Sequence, residues 1–370
     1  MRRPASSALM PLSEALSRLL DGVVPVAARA VASAAAIGRV AAETVEAASP
    51  VPALRVALRD GFAVTASEIT GASSYGPVPL PRAPLWVEAG EALPESADTV
   101  LPEEAIERSG PMTEAVADAP AGEGAGATGR DFTAGHRLIE AGARVRPLHA
   151  LALASAGIVR IGIREPRIGL VLAGAERRGP DAREAALRAL VEAAGAIVTS
   201  VVPVPSEVEA IAGALAAEAD ALLVVGGTGF GRRDRSAAAL ARAGALDVHG
   251  IALRPGETAG FGRVGAVPVL LLPGAPEAML ASFLTLGRPL LAALSGARPE
   301  PGRAAPLARK VASTIGLSEV VFVAPEGDAA LPLGGAELAL NRLMLARGAI
   351  LVPPEREGYP EGTHVEIMKL

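Results

Sequence analysis

The stretch best suited to chemistry is a glycine-rich loop, which reads VVGGTGFGRRD at residues 224–234. Four glycines fall within six positions of this loop, and two arginines and an aspartate follow them directly. Glycines at this density allow backbone N–H groups to point inward and form a concave anion site. Gly226 and Gly231 fit the spacing of a P-loop, but Arg232 and Arg233 replace the lysine and hydroxyl residue that a P-loop requires. The pattern therefore predicts an anionic ligand held in another way.

The elements around this loop predict how it is positioned. Between residues 166 and 297, continuous apolar strands such as RIGLVLAGA and VPVLLLPG alternate with helices, which is typical of a parallel sheet covered on both faces. Ligands bind at the carboxyl ends of the strands in such sheets. A further loop, ALRPGETAGFGR, is expected to bring Arg254, Glu257 and Arg263 to the same edge. Three of the predicted strands end in loops that are rich in glycine or carry polar residues. These loops are residues 174–176, 226–234 and 273–276.

The rest of the chain predicts three more units. Residues 1–45, with leucines at helical spacing near their start, are expected to join residues 140–165 in a helical linker domain. Short Val-rich runs between Pro and Gly indicate a β-rich domain at 46–139, and residues 298–370 indicate a small β-rich C-terminal domain. The predicted fold class is α/β multidomain, with a central three-layer α/β/α domain and a parallel sheet at 166–297.

Composition excludes several classes of function. The chain has no cysteine, so disulfides, thiolate nucleophiles and cysteine-bound metals are excluded, and a reducing cytoplasm is the expected compartment. A net charge of -5 and an aromatic content of 2% argue against a nucleic-acid partner. The N-terminal leucines predict an amphipathic helix rather than a signal peptide, and we expect no membrane-spanning segment. The four histidines show no metal-ligand spacing.

Five motifs resemble, in order and spacing, those of the MoeA-type molybdopterin molybdotransferases, the family related to the E domain of gephyrin. LRDGFAV resembles the family's MDGYAV signature, and AGEALPESADTVLPEE and GRDFTAGHRLIEAGARVRPLHALALASAGI are similar to its next two conserved stretches. IALRPGETAGFGR and LLLPGAPEAM stand where the family has a K-P-G-K-P loop and an L-P-G-N-P-V-S loop. The GGTGFGRRD loop is more similar to that of the MogA/MoaB-type molybdopterin adenylyltransferases. The resemblance implies that this loop holds the phosphate or diphosphate of a pterin.

The resemblance also implies roles for individual residues. It implies that molybdate is inserted into adenylylated molybdopterin, with Mg²⁺ as a cofactor and release of AMP. Of the four carboxylates matched to the family, Asp60, Glu176 and Asp234 are the implied Mg²⁺ ligands. The implied catalytic residues are Asp60, Asp131, Glu176 and Asp234. The implied residues that bind molybdopterin, or its adenylylated form, are Gly226, Gly227, Thr228, Gly229, Gly231, Arg254, Pro273, Gly274 and Pro276.

Several of these residues also have a structural interpretation. Asp234 could cap the following helix, and Asp60 could form a turn with Gly61. Glu176 could pair with the arginines beside it at the surface. Pro273 and Pro276 could mark a strand-to-helix boundary.

Three functions stay open, because some polar positions of the family are replaced. Ala89, Ala275, Glu257 and Ala278 stand where the family has threonine, asparagine, lysine and serine. The first hypothesis is a molybdotransferase, and the second is a catalytically impaired paralogue that binds or delivers molybdopterin. The third, suggested by the GGTGFGRRD loop, is a molybdopterin adenylyltransferase. The resemblance further implies a homodimer whose cleft combines the α/β domain of one subunit with the β-rich domain of the other.

Overall fold

The computed structural model describes residues 9–110, 112–174, 181–299 and 302–370. The first part of the chain, through residue 164, is made mainly of short strands. Its elements are α1 (Leu12–Leu20), β1 (Arg29–Ala32), β2 (Val40–Ala41), β3 (Val45–Glu46), β4 (Val56–Ala57), β5 (Gly61–Val64), β6 (Val78–Pro79), β7 (Leu85–Val87), β8 (Thr99–Leu101), β9 (Ile106–Ser109), β10 (Met112–Ala115), β11 (Ala125–Gly126), β12 (Arg137–Ile139), α2 (Pro147–Ser155) and β13 (Arg160–Arg164).

The predicted helical linker domain is only partly helical. α1 and α2 are present, but β1 and β2 pair antiparallel with β13 in a three-stranded sheet. The alanine-rich sequence of residues 27–42 favours a helix by propensity. Val31, Ile161 and Ile163 are instead buried together in one hydrophobic cluster, and this packing overrides local propensity. The prediction that residues 21–45 are helical is therefore wrong.

The β-rich prediction is confirmed for the strands that follow. They form small antiparallel sheets in the orders β7-β5-β8 and β6-β10-β9, with the pairs β11-β4 and β12-β3 beside them. Two small clusters of buried side chains, mostly alanine, valine and leucine, lie between these sheets.

The central α/β unit follows. Its elements are β14 (Arg167–Ala173), α3 (Ala182–Ala193), β15 (Ile197–Val204), α4 (Val208–Ala214), β16 (Ala221–Val225), α5 (Ser236–Ala243), β17 (Ala245–His249), β18 (Leu253–Arg254), β19 (Gly260–Val264), β20 (Val267–Leu272), α6 (Pro276–Ser282) and α7 (Arg288–Ser295). All of them except β18 build three layers. α3, α6 and α7 bury side chains on one face of the sheet, and α4 and α5 do so on the other.

The central sheet has six strands in the order β15-β14-β16-β20-β19-β17. The first four strands are parallel, as predicted, but β19 runs antiparallel to both of its neighbours, β20 and β17. Only two residues separate β19 from β20, whereas a parallel return needs a crossover of about a dozen or more residues. The sheet is therefore mixed rather than wholly parallel.

One helix among the described residues, Pro276–Ser295, is long and apolar enough by length and composition to cross a membrane. Most of this helix is buried inside the protein. Phe283, Leu290 and Leu294 lie in the largest hydrophobic core, against Leu12 and Leu19 of α1. It is therefore a core helix, with one π-helical turn at Phe283–Gly287.

The C-terminal part is strand-rich, as predicted. Its elements are β21 (Arg303–Pro306), β22 (Val311–Ala312), β23 (Ser318–Glu326), β24 (Ala329–Gly334), α8 (Leu340–Leu343), β25 (Gly348–Val352), β26 (Gly358–Tyr359) and β27 (His364–Lys369). The main sheet has the order β18-β23-β25-β27-β21. β18 comes from the loop that carries Arg254, so this segment of the α/β region belongs to the C-terminal sheet.

Candidate functional site

Two of the predicted loops meet where β16 and β20 end. The N–H of Gly226 donates a hydrogen bond of 2.9 Å to the carbonyl of Leu272, the last residue of β20. A Cβ placed on Gly274 would lie 3.4 Å from the Cα of Gly226. The glycine-rich loop and the 273–276 loop are therefore in contact at the carboxyl edge of the parallel strands.

Gly226 is required at this contact for two reasons. Its φ of +91° lies in the left-handed region that side chains disfavour. A Cβ there would also lie 3.0 Å from the carbonyl oxygen of Ala173, at the end of β14. The ends of β14, β16 and β20 are thus packed backbone to backbone.

The glycine-rich loop closes on the carboxylate of Asp234. Oδ2 of Asp234 accepts a hydrogen bond of 2.8 Å from the N–H of Gly231. A Cβ on Gly229 or on Gly231 would lie 2.6 Å or 2.8 Å from this oxygen, so a side chain at either position would displace the carboxylate. Helix α5 begins after Arg235 and has no side-chain cap. The interpretation of Asp234 as a helix cap is wrong, because its carboxylate turns back into the loop.

These contacts narrow the predicted anion site. The N–H of Gly226 is committed to Leu272 and that of Gly231 to Asp234, so neither is available to a ligand. Among the described residues, the N–H groups of Gly227 to Phe230 donate none of the hydrogen bonds found. The predicted anion site is therefore limited to the N–H groups in the middle of the loop, from Gly227 to Phe230.

The middle of the loop is held from the side by two further contacts. Thr228 is buried, and its hydroxyl lies 3.1 Å from the hydroxyl of Thr258. Nε2 of His249, at the end of β17, lies 2.7 Å from the carbonyl oxygen of Thr228. Because a carbonyl only accepts, Nε2 carries the proton. The ring of Phe230 packs against this imidazole, with a centroid distance of 5.2 Å.

A cation that the sequence did not reveal lies at the same edge. Arg183, in the first turn of α3, donates from Nε and Nη2 to the carboxylate of Asp181, with a shortest distance of 2.6 Å. Its Nη1 lies 2.9 Å from the place where a Cβ of Gly226 would be, and 3.9 Å from that of Gly274. Asp181 also caps α3 by accepting from the backbone N–H of Arg183. The guanidinium therefore lies over the contact between the two loops.

The pairing with Arg183 has an electrostatic consequence. The hydrogen bond donated by the Arg183 side chain holds the pKa of the Asp181 carboxyl below its usual range. The sequence showed the start of this helix, but a D-A-R run does not indicate which way the guanidinium points.

The predicted cationic loop is only partly at this edge. Arg254 is half-buried in β18, and the carboxylate of Glu257 accepts a hydrogen bond from the N–H of Gly256. Arg263 was expected here, but it pairs with Pro268 near the opposite end of β20 and forms an ion pair with Asp247. That expectation is wrong, because β19 runs antiparallel to β20 and leads the chain away from the carboxyl edge. Arg263 therefore lies at the far edge of the sheet.

The two prolines occupy the strand-to-helix boundary. Pro273 is buried directly after β20, and exposed Pro276 occupies the first turn of α6. This position suits proline because its missing N–H has no partner in a helix there. Contact of Pro273 and Pro276 with a pterin stays a prediction.

The other predicted carboxylates are separate from this edge. Asp60 and Asp131 are exposed in the β-rich region. Oδ1 of Asp60 accepts a hydrogen bond of 2.8 Å from the N–H of Ala89, and the backbone N–H of Asp131 donates to Val51. Glu176 lies outside the described residues. Within the described ranges, no three His, Asp or Glu side chains are grouped so that they could hold a metal ion. The described part of one chain therefore does not supply the implied Mg²⁺ site.

Comparisons with known proteins agree with this architecture. The MoeA N-terminal region (domain I and II) matches residues 10–157, and a probable molybdopterin binding domain matches residues 169–293. Molybdopterin molybdenumtransferase 1 of Mycobacterium tuberculosis is 27% identical, over 80% of this chain and 79% of its own length. The molybdopterin molybdenumtransferase of Haemophilus influenzae is 25% identical, over 78% of each chain.

A solved structure extends the similarity to nearly the whole chain. The molybdopterin biosynthesis MoeA protein of Pyrococcus horikoshii superposes with a TM-score of 0.76 and 26% identity, covering 98% of this chain and 99% of its own. The order of the two matched regions is that of the motifs in the sequence, and the glycine-rich loop lies in the second region. The chain therefore belongs to the MoeA family of molybdenum cofactor biosynthesis proteins.

Proposed function

We propose that this protein inserts molybdate into adenylylated molybdopterin and releases AMP. The observation that carries the proposal is the edge where β14, β16 and β20 end. There, the guanidinium of Arg183 lies over the contact between two loops of the implied pterin site, and the N–H groups from Gly227 to Phe230 donate none of the described hydrogen bonds. The two molybdenumtransferases reported above support the choice of reaction.

In this reaction the phosphoanhydride bond between molybdopterin and AMP is cleaved by water. The two dithiol sulfurs of molybdopterin bind the molybdenum of molybdate, and one molybdate oxygen leaves as water with the two thiol protons, so molybdenum keeps its oxidation state. The substrate diphosphate carries negative charge that increases on the leaving phosphate as the bond breaks. Arg183 and the loop N–H groups are fixed before the substrate arrives, so they can offset this charge without reorganising. Their role is to bind and orient the diphosphate.

The carboxylates of the β-rich region require a second chain in this proposal. Asp60 and Asp131 are exposed in loops of the β-rich region, whose sheets are separate from the six-stranded sheet that leads into the loop of Asp234. We propose a two-fold homodimer in which these two residues of one subunit complete the cleft of the other. A Mg²⁺ site built from Asp60, Glu176 and Asp234 would form only in that assembly.

The decisive experiment measures AMP. Purified protein is incubated with adenylylated molybdopterin, molybdate and Mg²⁺, and AMP is quantified against time. We expect multiple turnovers by the wild type and a much lower rate for Asp60→Ala. A wild-type rate no higher than that of Asp60→Ala would contradict the proposal.

A binding protein without turnover is the second candidate. Specific contacts favour it: Glu257, where the family has lysine, directs its carboxylate to a backbone N–H, and Ala89 contacts Asp60 only through its own backbone. This candidate predicts tight binding of molybdopterin without AMP release. The third candidate, an adenylyltransferase, would consume ATP and form adenylylated molybdopterin, which the same assay detects when ATP and molybdopterin are supplied.

A further inference from the structure

Phe230 differs from the other phenylalanines of the core regions. Phe261, Phe283 and Phe322 are completely buried, whereas Phe230 is 71% exposed at the tip of the glycine-rich loop. A single exposed apolar side chain is ordinary on a protein surface. This ring, however, lies in the loop of the predicted anion site, where it could contact a bound ligand.

The ring is held rather than loose. One side of Phe230 packs on the imidazole of His249, with an angle of 42° between the ring planes. That imidazole is itself fixed by its hydrogen bond to the carbonyl of Thr228, two residues before Phe230. The ring is therefore supported on one side while most of its surface faces solvent.

The backbone that carries the ring is also fixed at both ends. On one side, the hydroxyl of Ser236 donates to the carbonyl of Gly226 at 2.7 Å. On the other, Asp234 accepts from Gly231, the residue directly after Phe230. A ring that is ordered before binding loses little conformational entropy when a ligand packs on it.

Loop and ring together match a ligand with two parts. The N–H groups of Gly227 to Phe230 suit an anion, and the adjacent exposed ring suits a flat, conjugated group. Arg232 and Arg233 follow in the exposed part of the loop and favour a ligand with net negative charge. A phosphate joined to a planar heterocycle has this combination.

We propose that Phe230, supported by His249, is a stacking platform for the planar heterocycle of the ligand whose phosphate lies in the glycine-rich loop. This inference rests on the proposed function for the identity of the ligand. The adenine and the pterin of adenylylated molybdopterin share the required chemistry, and the experiment below distinguishes them.

The test is calorimetric titration with three probes: AMP, pterin 6-carboxylate and ribose 5-phosphate, which has a phosphate but no heterocycle. We expect Phe230→Ala to weaken binding of one of the two ring-containing probes by about 5- to 100-fold, the size of effect that loss of one base–aromatic stack produces. Phe230→Trp keeps that affinity within about 3-fold, because it keeps a stacking face. The affinity for ribose 5-phosphate should be the same in the wild type and in both variants, because this probe has no heterocycle to stack.

Two further variants separate stacking from other effects. Phe230→Leu keeps an apolar side chain without a π-face, so it should resemble Phe230→Ala. His249→Gln keeps a donor for the carbonyl of Thr228 but removes the ring that supports Phe230, so its loss of affinity should be intermediate. The probe whose affinity falls in Phe230→Ala shows which heterocycle of the ligand, adenine or pterin, stacks on Phe230.

Either of two results overturns the inference. One is equal affinity of wild type and Phe230→Ala for both AMP and pterin 6-carboxylate. The other is absence of measurable binding of both probes to the wild type at millimolar concentration. Because no turnover is required, failure of the AMP-release assay and failure of this test are independent results.

Discussion

The two regions that supply the predicted site differ in how firmly their functional groups are held. In the α/β unit, the glycine-rich loop is fixed by Asp234, Ser236, His249 and Thr258, and Arg183 is oriented by a carboxylate. In the β-rich region, Asp60 is exposed with a single backbone contact, and the side chain of Asp131 makes none of the described hydrogen bonds. The functional groups of the α/β unit are therefore held in place by hydrogen bonds, whereas in the proposed homodimer the carboxylates of the β-rich region would meet another surface.

The largest expected effect tests whether that surface is a second subunit. Asp60→Ala and Asp234→Ala should each reduce AMP release to background. If each cleft combines both regions from different subunits, a mixed dimer of the two variants contains one intact cleft. Co-expression at equal levels should then restore about a quarter of wild-type activity, since half of the dimers are mixed and each has one working cleft.

The oligomeric state of the co-expressed variants is measured by light scattering during gel filtration, which should show a dimer. Activity of the co-expressed variants that stays at background, with dimers present, would place both carboxylates in the same chain's cleft or outside it.

Arg183 is expected to give the next largest effect, because it belongs to the region whose functional groups are held in place within one chain. Arg183→Gln removes the charge facing Gly226 and Gly274 and should raise the KM for adenylylated molybdopterin by about 10- to 100-fold, as expected for a lost charge-assisted hydrogen bond. The value of kcat should fall less, since the group orients the diphosphate and is not consumed.

Arg188→Gln is the control on the same helix. Arg188 pairs with Glu184 and donates to the carbonyl of Val198, away from the loops. Steady-state kinetics should show a KM close to wild type for this variant. Equal effects of the two substitutions would remove Arg183 from the site.

A third prediction concerns the close backbone contact at the carboxyl edge. Gly226→Ala places a methyl group 3.0 Å from the carbonyl of Ala173 at a positive φ, and should lower the free energy of unfolding by about 1–3 kcal/mol. Gly265→Ala shares the positive φ but meets no atom within 4 Å, so it should cost only about 1 kcal/mol.

Urea unfolding measures both values. The difference between the two variants isolates the contact from the backbone strain. No difference would show that the ends of β14 and β16 are less tightly packed than described.

The smallest expected effect is electrostatic. Arg183 lowers the pKa of Asp181 in the folded protein, so the ion pair stabilises the fold above the unfolded pKa of about 3.9. This contribution is lost as pH falls through the lower folded pKa. Asp181→Asn keeps a good helix cap but removes the charge, so it should cost less than about 1 kcal/mol at pH 7.

The cost of Asp181→Asn should shrink progressively as the pH is lowered below 4, as measured by urea unfolding at each pH. A cost that is independent of pH would mean that capping, rather than charge, dominates at this position.

The sequence predicted the α/β unit well because its strands are continuous apolar runs that end in glycine or proline. It also placed the 226–234 and 273–276 loops at one edge, since parallel strands share their carboxyl ends. It failed for residues 21–45, where alanine-rich sequence favours a helix but long-range pairing with β13 decides the conformation.

The site was less predictable than the fold, for a different reason. The direction of a long side chain depends on contacts that no spacing encodes: Arg183 turns toward the loops because Asp181 holds it, and Arg263 turns away because a hairpin reverses the strand. The proposed role of Phe230 could not be predicted from the sequence, because an isolated aromatic residue carries no periodic signal. Its meaning depends on His249, which is nearly twenty positions later in the chain.

The segment that precedes Arg254 is held by both ends of the chain. Met10 exchanges backbone hydrogen bonds with Gly250 and Ala252, and the N–H of Ser318 donates to the carbonyl of Ala252. Cutting the α/β unit out at its sequence boundaries would remove both partners and expose the buried side chains of Ile251 and Leu253. Since Thr258 of the same loop contacts Thr228, an isolated α/β fragment would lose part of what keeps its ligand-binding loop in shape.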